Sequence, residues 1–105
     1  MISIPVFRSL ALAFPNVSEQ PHFEKPSFRI GKKIFASLDV PNNRACVKLS
    51  AADQDVFGLA DSTMIYPVPN KWGKQGWTFI ELTTIKKKLL TEILTAAHDE
   101  VAKKK

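Results

Sequence analysis

Two turn signals divide residues 27–49 into three short segments with the composition of β-strands. Gly31-Lys32 is typical of a tight hairpin turn, and Pro41-Asn42-Asn43 is typical of a second turn. The strands predicted around these turns are Ser27–Ile30, Lys33–Leu38 and Arg44–Leu49. Because each turn reverses the chain, the three strands are expected to form an antiparallel meander.

Capping residues predict a helix on each side of the meander. Ser3 can cap a first helix, in which apolar residues recur at helical spacing up to Phe14. Ser50, with Asp53 three residues later, resembles a capping box and predicts a short helix over residues 51–60. The sequence therefore marks the N-terminus of both helices.

Residues 83–105 carry the pattern of a long final helix, and the terminal lysines suit the negative end of its dipole. Thr83 or Thr84 can cap it. Its apolar residues repeat every four positions, at Ile85, Leu89, Ile93, Ala97 and Val101. A helix with such a stripe is expected to pack against a core.

The remaining segments are predicted to be extended. Residues 17–28 contain Pro21 and Pro26, which exclude a regular helix and indicate an extended crossing segment. Two further strands are predicted, at Thr63–Pro67 and Gly76–Leu82. This order of elements predicts one α+β domain over residues 1–105, with the helices packed on one face of an antiparallel sheet.

Basic residues are concentrated in two parts of the chain, which has a formal net charge of +5. Residues 25–48 hold six basic residues against Asp39 alone, and residues 71–88 hold five against Glu81. Residues 49–70 contain three aspartates and neither lysine nor arginine. This distribution permits an anionic partner and predicts that it would meet particular regions of the surface.

The last predicted strand decides which way its tryptophan faces. Successive side chains of a strand point to opposite faces of a sheet. If Trp77 and Phe79 faced the helices, Glu81 would be buried with them, at a cost of several kcal/mol unless it were paired. The opposite choice places Ile80 and Leu82 in the core. Both aromatic rings are therefore expected on the face without helices.

The same alternation sorts the residues of the meander into two sets. The inward set is Phe28, Ile30, Ile34, Ala36, Leu38, Ala45, Val47 and Leu49. The outward set is Arg29, Lys33, Phe35, Ser37, Cys46 and Lys48. Since the outward set would share its face with Trp77, that face is expected to be both basic and aromatic.

A basic and aromatic sheet face is typical of proteins that bind nucleic acid. Lysine and arginine attract phosphate in a salt-dependent way, and flat rings stack on bases. We therefore predict weak binding of nucleic acid, DNA above all, with little sequence preference. The predicted contact residues are Arg29, Lys32, Lys33, Phe35, Arg44, Lys48, Lys71, Lys74 and Trp77, with Trp72 as a further candidate.

Three other interpretations of these residues stay open. Tryptophan in a small domain is more often a packing residue than a ligand contact, and the proline-rich segments at residues 17–26 and 67–70 could cover Trp77. The same face could instead be a pocket walled by aromatic residues in a module that binds a protein or a small ligand. An enzyme of unknown type comes third.

The sequence contains no recognisable pattern for catalysis or for a resident metal. His22 and His98 lie in different predicted elements, and Cys46 is the one cysteine, so a zinc site is not expected. P-loop, nucleophile-elbow and dinucleotide glycine patterns are missing as well. We expect a non-catalytic monomer without cofactor or metal, in the cytoplasm and not at a membrane.

Several stretches in the same order resemble the MmcQ/YjbR-like family. They are SLALAFPNVSEQPHFEKPSFRIGKKIFASL, VKLS, GKQGWTFIEL and AAHDEVAKK, of which PNVSE, PHFEKPSFRIGKKIFA and the Gly-Trp pair are the most specific. The resemblance implies a compact α+β fold similar to the frataxin-like arrangement, described as a double-wing domain, with a DNA-binding role. Frataxin-like iron binding is not expected, because the first predicted helix has no Asp or Glu.

Overall fold

The computed structural model describes residues 2–22 and 25–103. Within these residues the chain forms four α-helices and six β-strands. In chain order they are α1 (Ile4–Leu12), β1 (Val17–His22), β2 (Lys25–Ile30), β3 (Lys33–Asp39), β4 (Arg44–Lys48), α2 (Ala51–Ala60), β5 (Ile65–Pro67), α3 (Lys71–Lys74), β6 (Trp77–Glu81) and α4 (Lys87–Lys103). A single turn of 3-10 helix, Val40–Asn42, joins β3 to β4.

The six strands form one sheet in the order β1-β2-β3-β4-β6-β5, and neighbouring strands are antiparallel. The predicted meander is confirmed as β2, β3 and β4. Helix α4 packs across β2, β3 and β4, α1 packs beside β1, and α2 packs beside β5. The predicted α+β class is confirmed, with the three longer helices on one face of the antiparallel sheet. We call the opposite face, which carries Ser37, Cys46 and Phe79, the open face.

The two predicted N-caps are confirmed. Ser3 Oγ accepts a hydrogen bond from the backbone N–H of Val6 at 3.3 Å. Ser50 Oγ accepts one from the backbone N–H of Asp53 at 3.1 Å. Each bond satisfies a donor that the first turn of a helix would otherwise leave without a partner.

The predicted start of the last helix is wrong by several residues. Thr83 and Thr84 lie in a turn that follows β6, and α4 begins at Lys87. In this turn the backbone N–H of Ile85 donates to the carbonyl of Glu81 at 3.2 Å. Thr83 is held differently from a cap, because its Oγ1 accepts from the side-chain amide of Asn43 at 3.0 Å. The apolar repeat had extended the predicted helix into a buried turn.

The hydrophobic core lies between the sheet and the three longer helices. The ring centroids of Phe7 in α1 and Phe28 in β2 are 5.6 Å apart in an edge-on arrangement. The largest fully buried side chains are Phe7, Phe28, Phe35, Leu38, Leu49, Ile65, Ile80, Leu82, Ile85, Leu90, Ile93 and Leu94. Because each such side chain contributes about 1.5–3 kcal/mol on burial, this layer is the main source of stability.

The proline-rich segment after α1 is a strand that pairs with its neighbour. Residues 17–22 form β1 at the edge of the sheet, and Pro21 lies directly opposite Pro26 of β2. Proline lacks the N–H of a sheet hydrogen bond, so it is tolerated mainly at such edges. The prediction of an extended segment was right, but it did not include the pairing.

A β-bulge in β3 changes the sidedness of three residues. Phe28 pairs with Ala36, whereas the next pair is Arg29 with Ile34, so that Phe35 is an extra residue on β3. An extra residue shifts the alternation of side chains beyond it. As a result, Phe35 and Ala36 are both fully buried.

The prediction that Phe35 faces outward as a contact residue is therefore wrong. Its ring lies on the helical side, with its centroid 6.3 Å from the Phe14 ring and 5.6 Å from the His98 ring. Burying a phenylalanine contributes about 1.5–3 kcal/mol, which offsets the loss of regular pairing at the bulge.

Ile34 and Lys33 exchange sides for the same reason. Ile34, predicted inward, pairs with Arg29 and lies on the open face. Lys33, predicted outward, pairs with Ile30 and lines a crevice beside Val101 of α4. Lys33 therefore belongs to the edge between the β2–β3 hairpin and α4.

Candidate functional site

The pairing of β4 with β6 places both aromatic residues of β6 on the open face. Trp77 and Phe79 are half-buried, and Glu81 is also only partly buried. Between them, Thr78 and Ile80 are fully buried on the helical side. The sidedness predicted for β6 is therefore confirmed. The open-face pairs in this register are Arg44 with Glu81, Cys46 with Phe79, and Lys48 with Trp77.

A partly buried glutamine connects helix α2 to the start of β6. The side-chain Nε2 of Gln54 donates to Thr78 Oγ1 at 2.9 Å and to the Gly73 carbonyl at 3.1 Å. The Thr78 hydroxyl in turn donates to the Gly76 carbonyl at 3.1 Å. Because these polar groups satisfy one another, Thr78 can be buried without a desolvation penalty, and the segment before Trp77 is fixed.

Two glycines allow the segment before β6 to fold tightly against its neighbours. A Cβ on Gly73 would lie 2.0 Å from the Val68 carbonyl oxygen. Gly76 has a φ of +107°, and a Cβ there would lie 2.0 Å from the Leu49 carbonyl oxygen. Only glycine permits such close approaches. They bring α3, and Trp72 with it, against the open face.

A cavity of about 320 Å³ lies on the open face. Side chains of the sheet form its base, and Val68 and Trp72 from the segment before β6 complete its wall. Trp72 is 50% exposed. The residues that line the cavity are Lys25, Ile34, Ser37, Leu38, Asp39, Cys46, Val68, Trp72, Trp77 and Phe79.

Each tryptophan of the cavity has a lysine beside its ring. Lys48 Nζ lies 5.8 Å from the centroid of the Trp77 ring, and Lys71 Nζ lies 6.0 Å from that of Trp72. The Lys48 ammonium also donates to the backbone carbonyl of Gln75. This end of the open face therefore combines flat rings with positive charge.

The other end of the open face is an internally paired network around Arg44. Its Nε donates to the Asp39 carboxylate at 3.0 Å, and its guanidinium carbon lies 3.9 Å from the centroid of the Phe79 ring. Its Nη1 lies 3.5 Å from the Tyr66 hydroxyl, which donates to the Glu81 carboxylate. The charge of Arg44 is thus balanced by the carboxylate of Asp39, which belongs to the protein itself.

The charge of Asp39 is maintained by its hydrogen bonds. Burial disfavours the carboxylate, but hydrogen bonds from Asn42 and Arg44, together with the charge of Lys25, outweigh burial and lower the pKa of Asp39. Asp39 is therefore an anion at the rim of the cavity at neutral pH.

Cys46 lies at the base of the cavity as a neutral thiol. Burial raises the pKa of Cys46 to about 11, although a backbone hydrogen bond with Thr78 and the charges of Lys25 and Arg44 oppose the shift. Because the thiolate is the reactive form, this cysteine is a poor nucleophile at neutral pH.

A family comparison covers most of the chain that forms this site. The YjbR family matches residues 12–100. The chain belongs to the YjbR family. The predicted resemblance to the MmcQ/YjbR-like proteins is thereby confirmed.

A solved structure has the same fold as this YjbR-family protein. The crystal structure of protein DR2400 of Deinococcus radiodurans, which carries a domain designated DUF419, superimposes with a TM-score of 0.83. The two sequences are 24% identical, and the match covers 99% of this chain and 81% of that one. At this identity the likeness shows the fold alone. No curated protein matches the chain.

The predicted contact residues of the YjbR-family protein fall into three groups. Four lie on the open face: Arg29, Arg44, Lys48 and Trp77. Three lie on exposed segments at its borders: Lys32, Lys71 and Lys74. Of the last two, Phe35 lies on the helical side of the sheet, and Lys33 lies at the edge between the β2–β3 hairpin and α4, where it lines a crevice with Lys48 and Trp77.

Some cavity residues were not among the predicted contacts. Lys25, Asp39 and Val68 line the cavity, but no motif in the sequence marks them. Ser37 and Cys46 were assigned to the correct face by alternation, although nothing indicated a cavity between them. The missing signal is tertiary, because the cavity exists only where α3 folds back towards the sheet.

The described ranges, 2–22 and 25–103, bear on two other classes of site. No helix there has the length and apolar character needed to cross a membrane. No three His, Cys, Asp or Glu side chains come together there in a group that could hold a metal ion. The side chain of His22 lies outside the part of the chain that the structure describes.

Proposed function

We propose that this YjbR-family protein is a non-catalytic nucleic-acid-binding protein that uses its open face. One observation carries the proposal: the half-buried rings of Trp77 and Phe79 lie on the open face of the sheet, with the Lys48 ammonium beside the Trp77 ring. Rings in such a position stack on bases, and neighbouring ammonium groups attract phosphates.

The phosphate contacts are assigned to the end of the open face that carries α3. Lys71 and Lys74 are exposed there, and Lys48 lies next to Trp77. Arg29 and Lys32 extend the basic region along the β2–β3 hairpin. Arg44 contributes less in this proposal, because the carboxylate of Asp39 already balances its charge.

Charge reversal on α3 tests the proposal. The variant Lys71→Glu with Lys74→Glu replaces two exposed ammonium groups by carboxylates beside Trp72. Binding of a fluorescein-labelled DNA, followed by fluorescence anisotropy, is expected to weaken at least tenfold. The number of phosphate contacts, taken from the slope of log K against log salt, should fall by about one for each lysine replaced.

The matched control carries the same change of charge on the helical side. Lys86→Glu with Lys87→Glu alters two exposed lysines at the start of α4. Its affinity should stay within about twofold of the unmodified protein, apart from the weak effect of net charge. Equal losses in both variants, or no binding of DNA by the unmodified protein at low salt, would overturn the proposal.

The cavity favours a second candidate function, binding of a small flat ligand. Its volume of about 320 Å³ is at the lower end of the range of about 300–1,000 Å³ that is usual for small-molecule sites. Most of its lining is apolar or aromatic, with Lys25 and Asp39 at the rim. Salt separates the two candidates, because an uncharged ligand held in the cavity would bind almost equally well at low and high salt.

A further inference from the structure

We propose that the cavity on the open face accepts one unpaired base, so that the protein prefers single-stranded to double-stranded nucleic acid. The proposal rests on the nucleic-acid function proposed above and specifies which form of nucleic acid the surface selects.

The size and walls of the cavity suit a single flat ring system. The rings of Trp72, Trp77 and Phe79 line part of a space of about 320 Å³. A base inside a duplex is stacked and paired, so it would have to leave the helix to enter, at a cost of a few kcal/mol. The bases of a single strand enter at a lower cost, and stacking on an aromatic side chain contributes about 1–3 kcal/mol per base.

The charges at the rim of the cavity suit a neutral polar group better than a phosphate. Lys25 and Asp39 are of opposite sign and both line the cavity. Asp39 also interacts electrostatically with Lys25, so that the two charges partly offset each other. The Ser37 hydroxyl and the Cys46 thiol add further hydrogen-bonding groups. Such a lining can hydrogen-bond the edge of a base without attracting an isolated anion strongly.

Positive charge lies next to the tryptophan rings, outside the floor of the cavity. The ammonium groups of Lys48 and Lys71 lie 5.8 Å and 6.0 Å from the centroids of Trp77 and Trp72. A nucleotide has the same division, with a neutral ring joined to an anionic phosphate. One nucleotide of a strand can therefore place its base in the cavity while the neighbouring phosphates meet these lysines.

The exposed ring of Trp72 is available for contact with a ligand. Its ring is 50% exposed although it lines the cavity. It belongs to α3, a helix of four residues that is fixed by the cap of Asn70, whose side chain accepts from the Trp72 backbone N–H at 3.0 Å. A stacked base would cover the exposed ring without disturbing the core.

The test compares single and double strands of one sequence. Labelled oligo(dT) and oligo(U) of about 16 nucleotides, the upper end of the usual site size, are titrated by fluorescence anisotropy beside the oligo(dT) duplex with its complement. We expect both the DNA and the RNA single strand to bind at least tenfold more tightly than the duplex, and to quench tryptophan fluorescence.

Two variants remove the stacking rings one at a time. Trp77→Ala and Trp72→Ala should each weaken single-strand binding by about 5- to 150-fold, which corresponds to the loss of one stacked base. Duplex binding should change by no more than about twofold in either. Because Trp72 is half in solvent, its variant remains informative if Trp77→Ala fails to fold. Leu59→Ala, at an 87% exposed position on α2, is the matched control and should leave both affinities unchanged.

The outcomes separate this inference from the proposed function. Equal or tighter binding of the duplex would overturn the single-strand preference and leave nucleic-acid binding in place. A single-strand preference that persists in both tryptophan variants would overturn the role of the cavity. If neither form bound at low salt, the proposed function itself would be refuted, and this inference with it.

Discussion

The guanidinium carbon of Arg44 lies 3.9 Å from the centroid of the Phe79 ring, while its Nε donates to Asp39 at 3.0 Å. The guanidinium of Arg44 is therefore bound within the protein itself, by an aromatic ring and by a carboxylate. This contact divides the face into a neutralised end at Arg44 and a basic end at α3, and it assigns to Arg44 a mainly structural role.

Arg44→Gln should lower the free energy of unfolding at neutral pH by about 1–3 kcal/mol, because it leaves the largely buried Asp39 without its charged donor. Urea denaturation of both proteins measures the difference. Arg8→Gln is the control, since the Arg8–Glu19 ion pair is more exposed and is expected to contribute less than about 1 kcal/mol.

The effect of Arg44→Gln should also depend on pH. The pKa of Asp39 is lowered in the folded protein from its ordinary value of 3.8. The stability that this shift contributes is present above pH 3.8 and is lost as the pH falls through the lowered pKa. The difference between wild type and variant should therefore shrink below pH 3.8, and a constant difference down to acid pH would contradict the ion pair.

Phe35→Ala and Phe79→Ala test the two sides of the sheet. Phe35 is fully buried against Phe14 and His98, so its removal should cost about 3–5 kcal/mol. Phe79 is half-buried, so Phe79→Ala should lower the free energy of unfolding by about half as much or less. Thermal or chemical denaturation of the two variants measures both losses of stability. A larger loss for Phe79→Ala than for Phe35→Ala would show that the bulge is misplaced.

Gly76→Ala should destabilise the protein by about 2 kcal/mol or more. The left-handed φ of +107° disfavours a side chain, and the new Cβ would clash with the Leu49 carbonyl oxygen. Gly58→Ala is the opposite case, since its Cβ would meet only the Ile65 carbonyl, at 3.9 Å, and the residue lies in the last turn of α2. That change should stabilise by about 0.5–1 kcal/mol. Equal effects in denaturation experiments would refute the role of Gly76.

Alkylation of Cys46 by iodoacetamide should be slow in the folded protein. Since burial raises the pKa of Cys46 to about 11, the rate is expected to increase about tenfold per pH unit from neutral pH towards 11. In the unfolded protein the rate should level off near the ordinary pKa of 9.0. A folded-state rate that levels off near pH 9 would contradict the burial of the thiol.

The same shift predicts a loss of stability in alkali. Below pH 9.0 both states hold the thiol proton, whereas between 9.0 and about 11 only the unfolded state releases it. Relative to Cys46→Ala, the wild type should therefore lose about 1 kcal/mol by pH 10. If the difference in free energy of unfolding between the two proteins does not change from pH 8 to pH 10, the raised pKa of Cys46 is contradicted.

Local signals in the sequence were sufficient for much of the fold. Hydroxyl caps at Ser3 and Ser50 fixed the starts of two helices, because a cap depends on a few neighbouring residues. The cost of burying Glu81 was sufficient to orient β6 and its tryptophan, Trp77. Predictions of this kind succeed where one short-range rule decides the outcome.

Other features depended on contacts between distant residues. The bulge at Phe35 is stabilised by packing against α1 and α4, which strand alternation does not include. The start of α4 was placed too early, because Ile85 is buried in a turn and continues the helical repeat. The cavity requires the close approach of Gly73 to Val68, so its presence could not be read from either residue alone.

The most direct test of the account is the salt dependence of nucleic-acid binding by the unmodified protein. Contacts from Lys48, Lys71 and Lys74 to phosphates of a single strand predict that log K falls against log salt with a slope of about −2. The anisotropy titrations should run from about 50 to 200 mM salt. A slope of about −2 or steeper is the predicted result. A slope near zero, or no binding at the lowest salt, would contradict the central claim that the open face binds nucleic acid.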